Sequence, residues 1–386
     1  MHTKQARSPV HLVTGCGSVR RLGSILEEEG IRRALIVTDS GLVKAGHVEP
    51  VMATLRESGV AASVFDEVQE NPNEDVVAAS VDAALACNAD GFVGLGGGSS
   101  LDTAKACNFV VTNGGQIKDY WGREKASQPM LPFIAVPTTA GTGSECQRFA
   151  LISDSRTHQK MACGDRKALA RAAVLDPELT LTQPPLVTSC TGMDALAHAV
   201  ESAVTRDATA ESLACSCEAF RRIQSNFTVV MKDPNDLRAR EHMQLGAAYA
   251  GAAIELSMLG AAHAAANPLT AHFGVTHGQA VALMLPEVVR LNCEVDRAAA
   301  GYKCLAVAAG LIEDTASAKE ASLVLLRRIV RLLDDSGLRR PLHEFGIHEN
   351  DLDLLSREAE AQWVAQYNPI PMTPLLFEMC YRKVLW

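Results

Sequence analysis

The chain has 386 residues, 47% of them apolar, with 28 glycines and a formal net charge of −9. That is too long for one ordinary core and fits two. The acidic balance argues against a nucleic-acid partner, and no run of 18 or more uncharged apolar residues offers a membrane span. Eleven cysteines are scattered without a C-x-x-C pair, and the start MHTKQARSP lacks the apolar stretch of a secretory signal. Both point to reduced thiols in a cytoplasm.

In chain order, ALIVTD, AASVFDEV, GFVGLGGG and FIAVPTT read as strands that end in turn residues. Between them, VEPVMATLRESG and NEDVVAASVDAALACNA carry the 3.6-residue apolar period of amphipathic helices. Continuous apolar strands alternating with helices imply a parallel sheet covered on both faces, so residues 1–182 are expected to form an α/β domain.

The texture changes at DPELTLTQPP, where Pro184 and Pro185 are expected to stop any regular element. Residues 183–386 are expected to be all-helical, built from Ala-rich stretches such as AHAVESAVTRDATAESLACSCEAFRRI, MQLGAAYAGAAIELSMLGAAHAAA and AKEASLVLLRRIVRLLDDSG. Cys215 and Cys217, two apart on a helix, read as core residues, and Arg327, Arg328 and Arg331 as a solvated helix face. Pockets favour domain boundaries, so an active site is expected between the halves.

Gly96, Gly97, Gly98 and Ser99 stand between a buried strand and a helix expected to start near Leu101. Glycines let backbone approach a pyrophosphate, and a helix N-terminus favours its charge; tight packing is the alternative use of such a turn. Asp39, at the end of the second strand, can accept two ribose hydroxyls and repel a 2′-phosphate, which points to NAD rather than NADP. Here the acidic residue precedes the glycines, unlike the usual dinucleotide fingerprint. The loop PTTAGTGSE, residues 137–145, can wrap a second side of such a cofactor.

In TGMDALAHAVE, Asp194 and His198 lie four residues apart and share one face of a helix. His263, His272 and His277 follow around Pro268 and Gly274, where the helix is expected to break. One carboxylate with three imidazoles suits Fe(II), Zn(II), Co(II) or Mn(II). Seen alone, the Asp–His pair also fits a helix-surface hydrogen bond.

Taken together, GGGSSLDTAK, PTTAGTGSE, DPELTLTQPP, TGMDALAHAVE and a G-x-x-H…H-G segment resemble the iron-containing (group III) alcohol dehydrogenases, lactaldehyde reductase and propanediol dehydrogenase among them. The likeness runs from GCGSVRRL to NPIPMTPLLFEMCYRKVLW. It implies a dehydroquinate synthase-like architecture: an α/β N-terminal dinucleotide-binding domain with a parallel sheet, then an all-α C-terminal metal-binding domain. By resemblance, Asp194, His198, His263 and His277 hold one divalent metal, Fe(II) first and Zn(II) as the other choice. Asp39, Asn71, Gly97, Gly98, Ser99, Thr138, Thr139, Lys160 and Leu179 match positions that contact NAD. His272 matches no ligand position and reads as structural or as a neighbour that supports the ligands. The implied activity is hydride transfer between NAD(H) and a small primary alcohol or aldehyde, in a cytoplasmic homodimer or larger homo-oligomer, with no nucleic-acid or membrane partner.

One position departs from the pattern. Members of the family carry G-x-x-H-x-x-x-H-P, and here the second His is Asn267, an amide that hydrogen-bonds but cannot titrate. Asn267 and His277 are therefore the candidate catalytic pair, with the proton relayed by water or the cofactor ribose. The segment CQRFALISD, read as a loop, also departs, and its Arg148 either meets an anionic substrate or faces solvent. A sugar-phosphate cyclase of related fold and a non-catalytic assembly subunit are the competing readings.

Overall fold

The computed structural model describes residues 5–156 and 159–386. The described chain forms two compact units: Ser8–Gln183, and Pro184–Trp386 with the N-terminal residues through Arg7.

The first unit holds strands β1 (His11–Thr14), β2 (Arg33–Val37), β3 (Ala61–Phe65), β4 (Gly91–Gly96), β5 (Gly122–Arg123), β6 (Phe133–Pro137), β7 (Phe149–Ser153), β8 (Lys160–Gly164) and β9 (Ala172–Leu175). Its helices are α1 (Leu22–Glu28), α2 (Ser40–Lys44), α3 (Val48–Glu57), α4 (Glu74–Ala86) and α5 (Gly98–Asn113). Six strands form one wholly parallel sheet in the order β1-β9-β6-β4-β2-β3. β4 and β6 are buried at every residue, as strands covered on both faces must be. In parallel register all six strands end at one edge, so the loops that leave β2, β4 and β6 there are neighbours.

Two outer strands and a second sheet lie beyond the sequence expectation. β1 and β9 are only four residues long, too short for a period to register. The segment expected as a loop, CQRFALISD, contains β7, which pairs antiparallel with β8 in a three-stranded sheet, β5-β8-β7. Helix α5 begins at Gly98 rather than near Leu101, so Gly98 and Ser99 belong to its first turn.

The second unit is helical: α6 (Pro185–Ser202), α7 (Ala210–Lys232), α8 (Leu237–Ser257), α9 (Ala261–Phe273), α10 (His277–Asn292), α11 (Asp296–Ala308), α12 (Ala318–Ser336), α13 (Leu352–Ala361) and α14 (Pro374–Lys383). Pro185 opens α6 instead of stopping structure, because the first helical residue needs no N–H partner. The long stretch from Ala197 breaks after Ser202, and Thr209 restarts it as α7 with a reciprocal capping box to Ser212. The next long stretch also breaks: α8 and α9 meet at 106°, through Met258 at φ 103°. Pro268 does not break its helix but sits inside α9, which ends instead at Gly274, where φ is 64°.

Among the described residues no single helix is long and apolar enough to cross a membrane. Cys215 is fully buried and Cys217 half-buried. Arg327 and Arg331 face solvent, whereas Arg328 is half-buried and donates to the Gln224 side chain at 3.0 Å.

Candidate functional site

In the α/β unit, the turn from β4 into α5 needs its glycines. Gly96 has φ 152°, and a Cβ there would stand 2.4 Å from Ser100 Oγ. Gly97 precedes the helix in extended conformation without a side-chain cap, so the first N–H groups of a 16-residue helix remain for a ligand. The Thr138 N–H donates to Gly96 O at 3.0 Å. Cβ atoms at Gly97 and Gly98 would stand 3.3 Å from Thr139 Cγ2 and 2.8 Å from Thr142 Cγ2. The two glycine-rich loops are thus in contact, with Gly97, Gly98, Ser99, Thr138 and Thr139 together.

Asp39 leaves β2 on the strand next to β4 and caps α2, its Oδ1 accepting from Leu42 N at 3.1 Å. Its second oxygen is the one that remains for a ribose. Asn71 is exposed in the turn after β3, at φ 52°. Ser153 N donates to Pro72 O at 2.8 Å while Ser153 pairs with Lys160 across β7 and β8, so β7 stands between the turn that carries Asn71 and the strand that Lys160 opens. Leu179 packs its side chain in the core of this unit, and its N–H donates to Asp176 O at 3.1 Å. Arg148 pairs with Glu124 at 3.0 Å, so its charge is already matched within the protein.

One feature of this unit escaped the sequence reading, although its residues stand in GGGSSLDTAK. Lys105 is fully buried on α5, and its ammonium donates to Ser144 O (2.9 Å), Ser144 Oγ (2.6 Å), Gln147 O (3.1 Å) and Phe149 O (2.7 Å) while pairing with Asp102. Asp102 also accepts from Ser144 Oγ and from Leu151 N. This pair ties the second glycine-rich loop and β7 to the helix that opens at the first. Beside it, burial pushes the Glu145 carboxyl up to about 7, against its own backbone N–H and the Lys105 charge.

In the helical unit, three helices deliver four donors to one place. Asp194 Oδ1 lies 3.2 Å from His263 Nε2, 3.4 Å from His198 Nε2 and 3.9 Å from His277 Nε2. Single donor atoms of Asp194, His263 and His277 lie within 4.8 Å of one another. The His198 ring stacks on that of His263, centroids 4.8 Å apart. Asp194, His198 and His263 are buried, and His277, with 30% of its side chain exposed, is the open side of the cluster.

Local sequence explains the convergence. Asp194 and His198 are one turn apart on α6. His277 is the first residue of α10, and Gly278 lets that helix start against α6: a Cβ there would stand 2.3 Å from Cys190 O. Burial alone would raise the Asp194 carboxyl, but His198, His263 and His277 overturn that and hold it well below the usual carboxylate range. Burial likewise opposes charge on His263, while Glu201 and Asp194 lift its value to about 9. A site that gathers three imidazoles around a single carboxylate oxygen, buried on all but the His277 side, fits a divalent cation in place of those protons.

The remaining candidates lie around this cluster. Asn267, one turn after His263 on α9, donates to Gln362 Oε1 at 2.9 Å. His272 stands apart, paired with Glu358 on the surface at 2.7 Å. Glu201 was overlooked: it is one turn beyond His198 on α6, and its carboxylate accepts from His263 Nδ1 at 2.5 Å.

A parallel α/β unit with a glycine-rich strand-to-helix turn is joined in one chain to a helical unit whose Asp–His cluster could hold a cation. Residues 9–177 match the model of the iron-containing alcohol dehydrogenases, and residues 188–383 match that of the Fe-containing alcohol dehydrogenase family C-terminal domain. The chain belongs to the iron-containing alcohol dehydrogenase family. It is 35% identical to the NAD-dependent methanol dehydrogenase of Bacillus methanolicus, over 94% of each chain. It is 32% identical to the 1,3-propanediol dehydrogenase of Citrobacter freundii, over 92% of each. The crystal structure of a 1,3-propanediol oxidoreductase superposes with a TM-score of 0.93 at 30% identity, over all of both chains. These matches favour the oxidoreductase over the cyclase and assembly readings.

Proposed function

We propose that this chain transfers hydride between NAD(H) and a small primary alcohol or its aldehyde, with one divalent cation, iron first, held by Asp194, His198, His263 and His277. The observation that carries the proposal is the approach of three imidazole Nε2 atoms to Asp194 Oδ1 at 3.2–3.9 Å in a largely buried cage. When bound, the cation supplies Lewis acidity that favours negative charge on the substrate oxygen. His277, the most open of the four, stands where a substrate would enter, and the buried faces of His198 and His263 exclude water from the far side.

In the α/β unit, the N–H groups of Gly98 and Ser99 would take the cofactor pyrophosphate, with Thr138 and Thr139 beside it. The free oxygen of Asp39 would take the ribose, and a 2′-phosphate there would meet negative charge. Asn71, Lys160 and Leu179 complete the proposed NAD contacts. Asn267, held by Gln362, can orient a substrate hydroxyl or a water but cannot exchange its proton. The proton therefore leaves by another route, through water or the cofactor ribose. A cytoplasmic homo-oligomer, as the family resemblance implies, completes the proposed reading.

The test is a panel of short alcohols, diols and aldehydes, assayed with NAD(H) and NADP(H) after loading with Fe(II) or Zn(II). Metal-dependent turnover with NAD(H) is expected. Faster turnover with NADP(H) would remove the role given to Asp39, and full turnover of chelated protein would remove the metal.

A further inference from the structure

Glu201 is buried on α6, 3% exposed, and its two oxygens serve two different donors. Oε1 accepts from the Ala262 N–H at 2.6 Å, and Oε2 meets His263 Nδ1 at 2.5 Å. A carboxylate only accepts hydrogen bonds, so the hydrogen between Glu201 and His263 belongs to Nδ1. Nε2, which faces Asp194 Oδ1 at 3.2 Å, would give up its own proton to a bound cation, and the ring would then be neutral with its hydrogen on Nδ1 and its lone pair on Nε2.

We infer that Glu201 is the positioning residue that fixes the tautomer of His263, so that this ring presents a lone pair, and not an N–H, to the cation. The inference rests on the proposed metal site and adds to it a residue outside the four donors.

The surroundings hold Glu201 itself in place. Gly260, between α8 and α9, leaves room for the carboxylate: a Cβ there would stand 3.0 Å from Glu201 Oε1 and 3.2 Å from Asn368 Oδ1. Asn368 is in turn locked by a reciprocal amide pair with Asn292, at 2.9 and 3.0 Å. The Ala262 and His263 N–H groups are thus read by one carboxylate from neighbouring positions of the first turn of α9, which sets the ring as well as its hydrogen.

Glu201→Gln separates this role from shape. Glutamine fills the same space but offers one oxygen and one NH2 where the protein presents two N–H donors. If the NH2 faces His263, it moves the ring hydrogen to Nε2; if it faces Ala262, two donors meet. The full-length protein is stripped of metal and titrated with Co(II) against a competing chelator, following the visible absorption of the bound ion. Wild type is expected to bind one Co(II), and Glu201→Gln to bind about ten- to a hundredfold more weakly with an altered spectrum, while the circular dichroism of the metal-free form is unchanged. Wild-type affinity and spectrum in Glu201→Gln would overturn the inference.

Should that variant not fold, Gly260→Ala displaces the carboxylate by a few tenths of an ångström. A several-fold loss of Co(II) affinity is then expected, and no loss would overturn the inference. Failure of wild type to bind stoichiometric Co(II), or full binding by His263→Ala, would instead bring down the metal-site reading, which is a different result.

Discussion

The two units build their candidate sites by opposite means. The α/β unit presents backbone: glycines, helix-start N–H groups and loop ends that parallel strands bring to one edge. The helical unit presents side chains, four donors from α6, α9 and α10 that meet only because those helices pack. A backbone site is specified over a few consecutive residues and tolerates change outside them. A side-chain site depends on each donor, so one substitution should remove it outright.

The strongest way to break this comparison is His263→Ala. It should remove the bound metal and with it at least about a thousandfold of turnover, a loss in the range of a main electrostatic contributor to catalysis, while the dinucleotide still binds. Metal analysis and NADH fluorescence on the same sample would check it, and turnover with metal retained would contradict it. The buried charge in the α/β unit tests the other side. Lys105→Met leaves Asp102 and three carbonyls without their ammonium, and should destabilise the unit by about 3–5 kcal/mol in denaturant unfolding. A change under about 1 kcal/mol, the range of surface pairs, would mean that water takes over the cage.

Smaller effects sharpen the contrast. Gly96→Ala meets both a φ of 152° and the Ser100 hydroxyl, so NADH affinity should fall about tenfold, the equivalent of 1–2 kcal/mol of backbone strain, with metal content unchanged. Loss of metal from that variant would show that the sites are not separable. Asn267→His restores a titrating group one turn from His263. The pH dependence of alcohol oxidation should acquire an inflection near neutral pH, and an unchanged profile would place this position off the proton path.

Much of the architecture was legible. The strands that carry the glycine-rich turns stand out because buried parallel strands are continuous apolar runs, and the Asp194–His198 pair stands out because one helical turn is a fixed spacing. Less could be read where local rules meet tertiary context. Pro268 reads as a helix breaker, yet α9 continues through it, and Pro185 reads as a stop although it starts α6. β7 lacks a clear pattern because its pairing with β8 reaches across residues 154–159. Glu201 gave a faint signal, being seven residues after Asp194 and so on the same helical face, but nothing local says which imidazole it meets.

By itself the sequence determined the change from alternating strands and helices to helices alone, the glycine-rich turn and the one-turn spacing of Asp194 and His198. These follow from short-range periodicity, backbone freedom and residue chemistry, which are written in neighbouring positions. Tertiary structure alone decided that Lys105 is caged, that Glu201 holds His263, and that Gly278 brings His277 beside Asp194. Each of these joins residues tens of positions apart, and only the packing of helices and strands sets such distances.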